Sequence, residues 1–274
     1  MGIELFGLLI LGFSASVLAF LLGIGGGALI VPVMTVFFGY PVHEAIAASL
    51  VVIVISSLSL TSVNLLKNMV NIRFALFMES MAVAGAFMGG VITVSISQRS
   101  VSMVFAATMF LTAYLMYNSR SEDTSLAERP EKTSEFDNDY YDAVEGRMKY
   151  YTVKKPYATG SVAGFAGLAS GMLGLGGGVF MVPAMNILAR MPIKAATATS
   201  NFMVCFTSAS AAIPYLLKGY LHPSATATMV IGAVLGSKFS TSRLTKVKSR
   251  KIRLMFIFFV LYVALQMLYE SVHL

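Results

Sequence analysis

Hydrophobic positions in this chain come in long unbroken runs, without the alternation of a half-buried strand or the stripe of an amphipathic helix. Charge-free stretches cover Leu5–Tyr40, Ala45–Leu66, Ser100–Ser119, Pro156–Ala189, Ala195–Leu217, Gly219–Ser237 and Leu254–Tyr269, and another, Phe74–Gln98, is interrupted only by Glu79. About 20 helical residues cross a bilayer core of about 30 Å, so most of these runs can span. Leu5–Phe38 is the exception, because as one straight helix its 34 residues would measure ~51 Å. Its glycines must break it.

The breaking phrase occurs twice. Gly23-Ile24-Gly25-Gly26-Gly27 and Gly174-Leu175-Gly176-Gly177-Gly178 lie 151 positions apart, and the same offset carries Pro32 to Pro183, Pro41 to Pro192, Ser49 to Ser200, Lys67 to Lys218 and Gly85 to Gly236. The chain is two copies of one unit. Glycine costs ~1 kcal/mol in a helix interior relative to alanine, and the opened backbone survives at membrane depth only inside protein or beside a water-filled cavity. Each glycine segment therefore reads as helix, turn and shorter helix, with Pro32 and Pro183 expected near the start of the second helix, where N–H groups lack partners anyway.

Charge selects a topology. If every segment crossed once, the 20 basic residues would divide 10 against 10. If each glycine-broken segment enters and leaves by one face, that face collects Lys67, Arg73, the seven basic residues between Arg120 and Lys155, Arg190, Lys194 and the seven from Lys238 to Arg253, leaving only Arg99 and Lys218 opposite. The positive-inside rule prefers the 18-to-2 arrangement. The expected fold is an all-α integral membrane protein of two inverted four-segment repeats, each a re-entrant helical hairpin plus three transmembrane helices. The repeats are 1–118 and 156–274, with both termini outside and a charged cytoplasmic linker, 119–155, between them. Leu5–Leu22 is nearly long enough to cross, so the hairpin must tilt or begin in the headgroup layer.

Composition agrees with lipid as the solvent, with 57% hydrophobic and 12% charged residues. The net charge of +7 follows from topology and implies no nucleic-acid partner. No basic residue precedes the first run, which argues against a cleaved signal peptide. The linker holds nine acidic and seven basic residues and few aliphatics; it is expected to be a partly disordered tether with a short helix around Tyr140–Tyr151.

Inverted repeats with broken helices are the architecture of secondary transporters, with a site at the repeat interface near the midplane. Here the chemistry suits an anion, since the second helix of each hairpin begins at the glycines and points free N–H groups and a positive dipole end into the protein. The competing reading is that the glycines only permit close helix packing. No strand precedes the phrase and no acidic ribose ligand follows, so it is no nucleotide fingerprint.

The paired GIGGG and GLGGG phrases with their following prolines, and the polar steps Ala48-Ser49-Leu50 and Ala198-Thr199-Ser200-Asn201, resemble the TauE/SafE sulfite exporter family over both halves. The resemblance implies transport of small organosulfur anions such as sulfite, sulfoacetate or other sulfonates across the plasma membrane. The long linker departs from it.

The candidate substrate-binding residues are Gly23, Gly25, Gly26, Gly27, Ser49, Gly174, Gly176, Gly177, Gly178, Thr197, Ser200 and Asn201. Thr197, Ser200 and Asn201 share one helix face by their spacing. Ser56, Ser57, Asn64, Thr207 and Ser208 extend the polar lining, although hydroxyls in membranes also serve as helix glue. Glu79 is the candidate coupling residue, for a proton or another ion, unless it only reaches the interface near Arg73. His43 and Glu44 are expected to be solvated at the outer mouth, Lys67 and Lys218 to snorkel, and Cys205 to pack as a small apolar residue. No cofactor or metal is expected. A passive anion channel is the alternative function, and an enzyme lacks an embedded set of groups for acid–base or nucleophilic work.

Overall fold

The computed structural model describes residues 2–23, 25–118, 134–142, 146–243, 257–258, 260–262 and 264–269. It is mostly helical. Helix α1 (Gly2–Leu22) is followed by α2 (Gly27–Val36), α3 (Val42–Leu66), α4 (Ile72–Thr93) and α5 (Gln98–Asn118). After strands β1 (Asn138–Asp142) and β2 (Arg147–Tyr151) come α6 (Pro156–Leu173), α7 (Gly178–Ile187), α8 (Ile193–Leu217) and α9 (Pro223–Arg243), with a further helical stretch at Val260–Tyr269. Shifted by 151 positions, the bounds of α2 and α3 become those of α7 and α8. Helices α1, α3, α4 and α8 are long and apolar enough to cross a bilayer.

Local chemistry explains the breaks. The N–H of Gly23 donates to Ala19 O at 2.8 Å, and Gly23, at φ 69°, ends α1 in the left-handed conformation that glycine adopts freely. Pro41 and Pro192 sit at the N-caps of α3 and α8 with φ of −54° and −56°, where a missing N–H costs nothing. The expectation for the other two prolines needs correction. Pro32 and Pro183 lie inside α2 and α7, at the sixth residue of each, so the carbonyls of Ala28 and Val179 lose their i+4 donor.

Helix α2 turns back along α1. Gly7 packs on the Phe38 ring, a methyl group on Gly26 would lie 2.7 Å from Ala15 O, and the Tyr40 hydroxyl donates to Glu4 Oε1 at 3.0 Å, so the chain returns to the end where it started. The Tyr40 phenol is raised above its ordinary pKa, by partial burial first and by its bond to Glu4 second. At 21 residues α1 is ~31 Å long, as deep as a bilayer core.

Helix α1 packs along α9 and α4 along α6. Glycine makes both seams: a methyl group on Gly12, Gly232 or Gly236 would overlap the carbonyl oxygen of Met229, Leu9 or Phe13, and one on Gly85, Gly89, Gly167 or Gly171 that of Gly164, Leu168, Ala82 or Ala86. These glycines serve close packing, as small residues do between membrane helices. Helices α3 and α8 run antiparallel, with His43 at the start of α3 stacked on Tyr220 beyond α8, and Asn71 beyond α3 bonded to Thr199 near the start of α8.

The linker departs from expectation. In place of a helix around Tyr140–Tyr151 there is an antiparallel hairpin, Asn138 paired with Tyr151 and Tyr140 with Lys149. Paired tyrosines on both strands and a left-handed Gly146 (φ 66°) favour strand and turn over helix. Tyr140 and Tyr151 are 2% exposed and join the apolar cluster of Phe74, Met78 and Val153. Of the 119–155 linker expected to be partly disordered, 119–133 and 143–145 lie outside the described residues.

Candidate functional site

The two glycine turns meet in the interior. A methyl group on Gly25 would lie 3.1 Å from Leu175 O and 3.5 Å from Gly176 Cα, and one on Gly27 would overlap the Gly174 carbonyl oxygen. Ile53 and Val204, repeat equivalents on α3 and α8, flank the meeting point: a methyl on Gly176 would lie 3.2 Å from Ile53 Cγ2 and 2.9 Å from Val204 Cγ1. Gly25, Gly26, Gly176 and Gly177 all take left-handed φ, between 76° and 81°, which a β-carbon would strain.

These turns hold the backbone donors open. The first bonds into α2 and α7 are accepted by Gly26, from Leu29 N at 3.1 Å and Ile30 N at 3.3 Å, and by Gly177, from Phe180 N and Met181 N at 3.1 Å each. Among the described residues, the N–H groups of Gly25, Gly26 and Gly27 and of Leu175 through Val179 donate no hydrogen bond, although the described residues of both turns are buried. Buried N–H groups are nearly always paired. Such a set at two helix N-termini has the chemistry that suits negative charge.

Side chains fix the turns reciprocally. Ser49 Oγ donates to Gly174 O at 2.9 Å, and Ser200 Oγ donates to Gly23 O at 3.0 Å. A hydroxyl has one proton to give, so in this geometry both serines tie one repeat's turn to the other repeat's long helix and have no donor left for a ligand. Thr197 is half-buried, its Cγ2 2.8 Å from where a methyl on Gly23 would sit. Asn201 is 1% exposed, and neither its Oδ1 nor its Nδ2 has a partner. It lies one helical turn before Val204. Thr207 binds Glu79, Ser56 Oγ turns back to Ile53 O, and Ser57 and Ser208 leave their hydroxyls unpartnered at equivalent positions.

The sequence reading missed two hydroxyls. Ser170 is fully buried without a partner, its Cβ 3.4 Å from a methyl placed on Gly177, and Ser16 is equally unpartnered on α1. Their only signal was position within a turn or two of the glycines. His43 needs correction: it is 8% exposed rather than solvated, stacked on Tyr220 at 5.1 Å with Nε2 3.1 Å from Thr93 O. Burial between two closely packed helix ends outweighs its polarity. Lys67 and Lys218 are exposed at helix ends, and Cys205 is a buried free thiol.

Glu79 is 5% exposed on α4. Its Oε1 accepts a 2.6 Å bond from Thr207 Oγ1 and its Oε2 has no partner. Arg73 is exposed and forms no ion pair with it. Since Thr207 lies about one turn beyond Val204, the carboxyl stands close to the level of the glycine turns. The repeats differ here in chemistry: Thr197, Thr199, Asn201 and Cys205 on α8 correspond to Ile46, Ala48, Leu50 and Val54 on α3, and Glu79 corresponds to Val230. Beside the turns, the polar lining is concentrated on α8 and α4.

Comparison with known proteins fits this arrangement. The model of the family described as "Sulfite exporter TauE/SafE" matches residues 8–267. The chain is 28% identical over 273 residues to "Probable membrane transporter protein YunE" of Bacillus subtilis (strain 168), covering 97% of each. It is 26% identical over 265 residues to "Probable membrane transporter protein MJ0441" of Methanocaldococcus jannaschii, covering 90% of this chain and 89% of that protein. A "Probable membrane transporter protein" of Xylella fastidiosa (strain Temecula1) is 25% identical over 232 residues, 84% of this chain and 81% of its own. No solved structure matches. With two glycine-broken hairpins meeting inside a bundle of apolar helices, and the family match running through both halves, the chain belongs to the sulfite exporter TauE/SafE family, whose members are membrane transporters rather than enzymes.

Proposed function

We propose that the chain is a secondary transporter that moves a small organosulfur-type anion, such as sulfite, sulfoacetate or another sulfonate, across the plasma membrane by alternating access. The observation that carries this reading is the set of unpaired buried N–H groups at Gly25–Gly27 and Leu175–Val179. A ligand there meets two helix N-termini, each worth about half a positive charge, and no lysine or arginine that would hold it too tightly to release. Asn201 and the Ser170 hydroxyl supply further polar contacts, while Ser49 and Ser200 keep the turns in place. Ser200→Ala should weaken ligand binding by only ~1 kcal/mol, the net worth of a typical hydrogen bond, read by titration of the purified protein.

The antiparallel course of α3 and α8, and hairpins that enter from opposite ends and meet, support two inverted four-segment repeats over 1–118 and 156–274 joined by 119–155. Such folds alternate access by rocking one repeat against the other around a central site. The end that carries Lys67, Arg73, Arg190, Lys194 and the linker is then cytoplasmic and the termini are outside. Cysteines placed at Gly39 and at Asn68 should label from opposite sides of intact cells, and labelling of both from one side would contradict this topology. Thermal-shift measurements against sulfite, thiosulfate, sulfoacetate and taurine, followed by flux of the best ligand into proteoliposomes, test the function. Saturable, ion-gradient-driven uptake is expected, whereas currents far above carrier rates would favour the channel.

A further inference from the structure

The β-hairpin lies in the linker, has no counterpart in either repeat, and sits where the repeat pattern leaves a gap. At the Tyr40 end of the bundle, rings close the space between the start of α3 and the end of α8. His43 stacks on Tyr220, the His222 and Tyr40 rings meet at 5.3 Å, and the fully buried Tyr215 donates its hydroxyl to Gly171 O at 2.9 Å. Shifted by 151 positions, these five residues correspond to Lys194, Met69, Asn71, Met191 and Asn64. The opposite end therefore has no rings of its own at these places.

The linker brings them. Phe136 packs on Phe74 and Phe77 with ring centroids 5.5 and 5.3 Å apart, and Tyr140 and Tyr151 lie buried beside each other at 6.3 Å. Asn71 is the tether: its Nδ2 donates to Phe136 O at 2.7 Å while its backbone N–H donates to Thr199 Oγ1 at 3.1 Å, and Lys154 N bonds Ala189 O at 3.0 Å. Burial raises the Tyr151 phenol well above its ordinary pKa, against opposing bonds from Asn71 and Asn138; a phenol so placed belongs to a closed interface.

Toward the same end, α3 carries a buried polar lane. Ser57, Thr61 and Asn64 follow one another on α3 at helical spacing, the first two hydroxyls unpartnered, with the unpartnered Asn201 on α8 at the same level. Their equivalents toward the Tyr40 end are Ser208, Ala212 and the fully buried Tyr215.

We propose that the β-hairpin is the gate at this end of the transporter: it stands in for the missing ring cluster, closes the Ser57–Asn64 lane, and must undock from Asn71 for the anion to pass between the glycine turns and the cytoplasm. This rests on the transport reading above. Two experiments on the full-length chain carrying Cys205→Ser test it. Cross-linking Phe77→Cys to Phe136→Cys with a short, reducible bis-methanethiosulfonate reagent should lower anion flux at least tenfold, with recovery on reduction. A Ser57→Cys reporter should react with an impermeant maleimide added to the hairpin face at least tenfold faster when Asn71→Ala and Tyr151→Ala are also present.

Full flux in completely cross-linked protein would overturn the proposal, as would equal labelling of Ser57→Cys in docked and undocked proteins that remain monodisperse. If the undocked variant does not fold, the cross-linking result decides. If wild-type protein carries none of the sulfur anions, the transport reading fails, while the labelling comparison still decides whether the hairpin closes the lane.

Discussion

Gly26→Val and Gly177→Val should each lower ligand binding and transport at least ~100-fold, or about 2.7 kcal/mol in affinity, while expression and membrane insertion persist. Two different costs converge on this result. At Gly26 (φ 81°) even a methyl group lies 2.7 Å from Ala15 O, a backbone atom that cannot step aside without parting α1 from α2. At Gly177 (φ 76°) there is more room, 3.1 Å to Met181 Cε and 3.4 Å to Ser170 Cβ, and the cost is backbone strain. A residue held in a sparsely populated region costs ~1–3 kcal/mol, and a β-branched one is least at ease there. Either relaxation would rotate the N–H groups proposed to face the anion. Gly39→Ala is the control: Gly39 is also left-handed, at φ 70°, but nothing lies within 4 Å of the added carbon, so it should lose stability without losing flux. Equal losses at Gly39 and Gly177 would mean that strain alone, and not the N–H array, explains the result.

Glu79→Gln separates coupling from binding. The side chain is 5% exposed, is held by Thr207, and leaves Oε2 without a partner. A structural hydrogen bond at Oε1 survives in the amide, which can still accept from Thr207. The isostere cannot exchange a proton, so pH-driven uptake should become independent of pH while ligand affinity changes less than threefold. Retained pH-driven flux in Glu79→Gln would return Glu79 to a packing role, and Thr207→Val, which removes the bond but keeps the acid, should shift the pH profile rather than erase it.

Much of this was legible because the chain states its plan twice. The offset between Gly23 and Gly174 predicted that whatever formed after the first turn would form after the second, and α2, α3, α7 and α8 have matching bounds. The reciprocal bonds from Ser49 and Ser200 were legible as a pair, yet their acceptors were not, because the sequence does not reveal that each long helix reaches the opposite repeat's turn. Pro32 was misplaced for a related reason: its ring fits either a first turn or a kinked interior, and only the turn's true position at Gly23–Gly26 decides.

Burial that depends on distant partners was harder to see. His43 reads as a mouth residue until Tyr220, far along the chain, is packed against it. The hairpin was obscured by composition, since its charges suggest a solvated tether and its tyrosines find their apolar surface on α4 only after the repeats assemble. Ser16 and Ser170 look like ordinary helix glue until their hydroxyls are found without partners.

On the proposed function, the anion is held by backbone N–H groups where the two turns meet. A structure of the protein with the tightest-binding sulfur anion from the screen tests it most directly. Ligand density is expected between Gly23–Gly27 and Gly174–Gly178, within hydrogen-bonding distance of both helix N-termini and of Asn201; density away from both turns, with the N–H groups of Leu175–Val179 still unbonded, would contradict backbone binding.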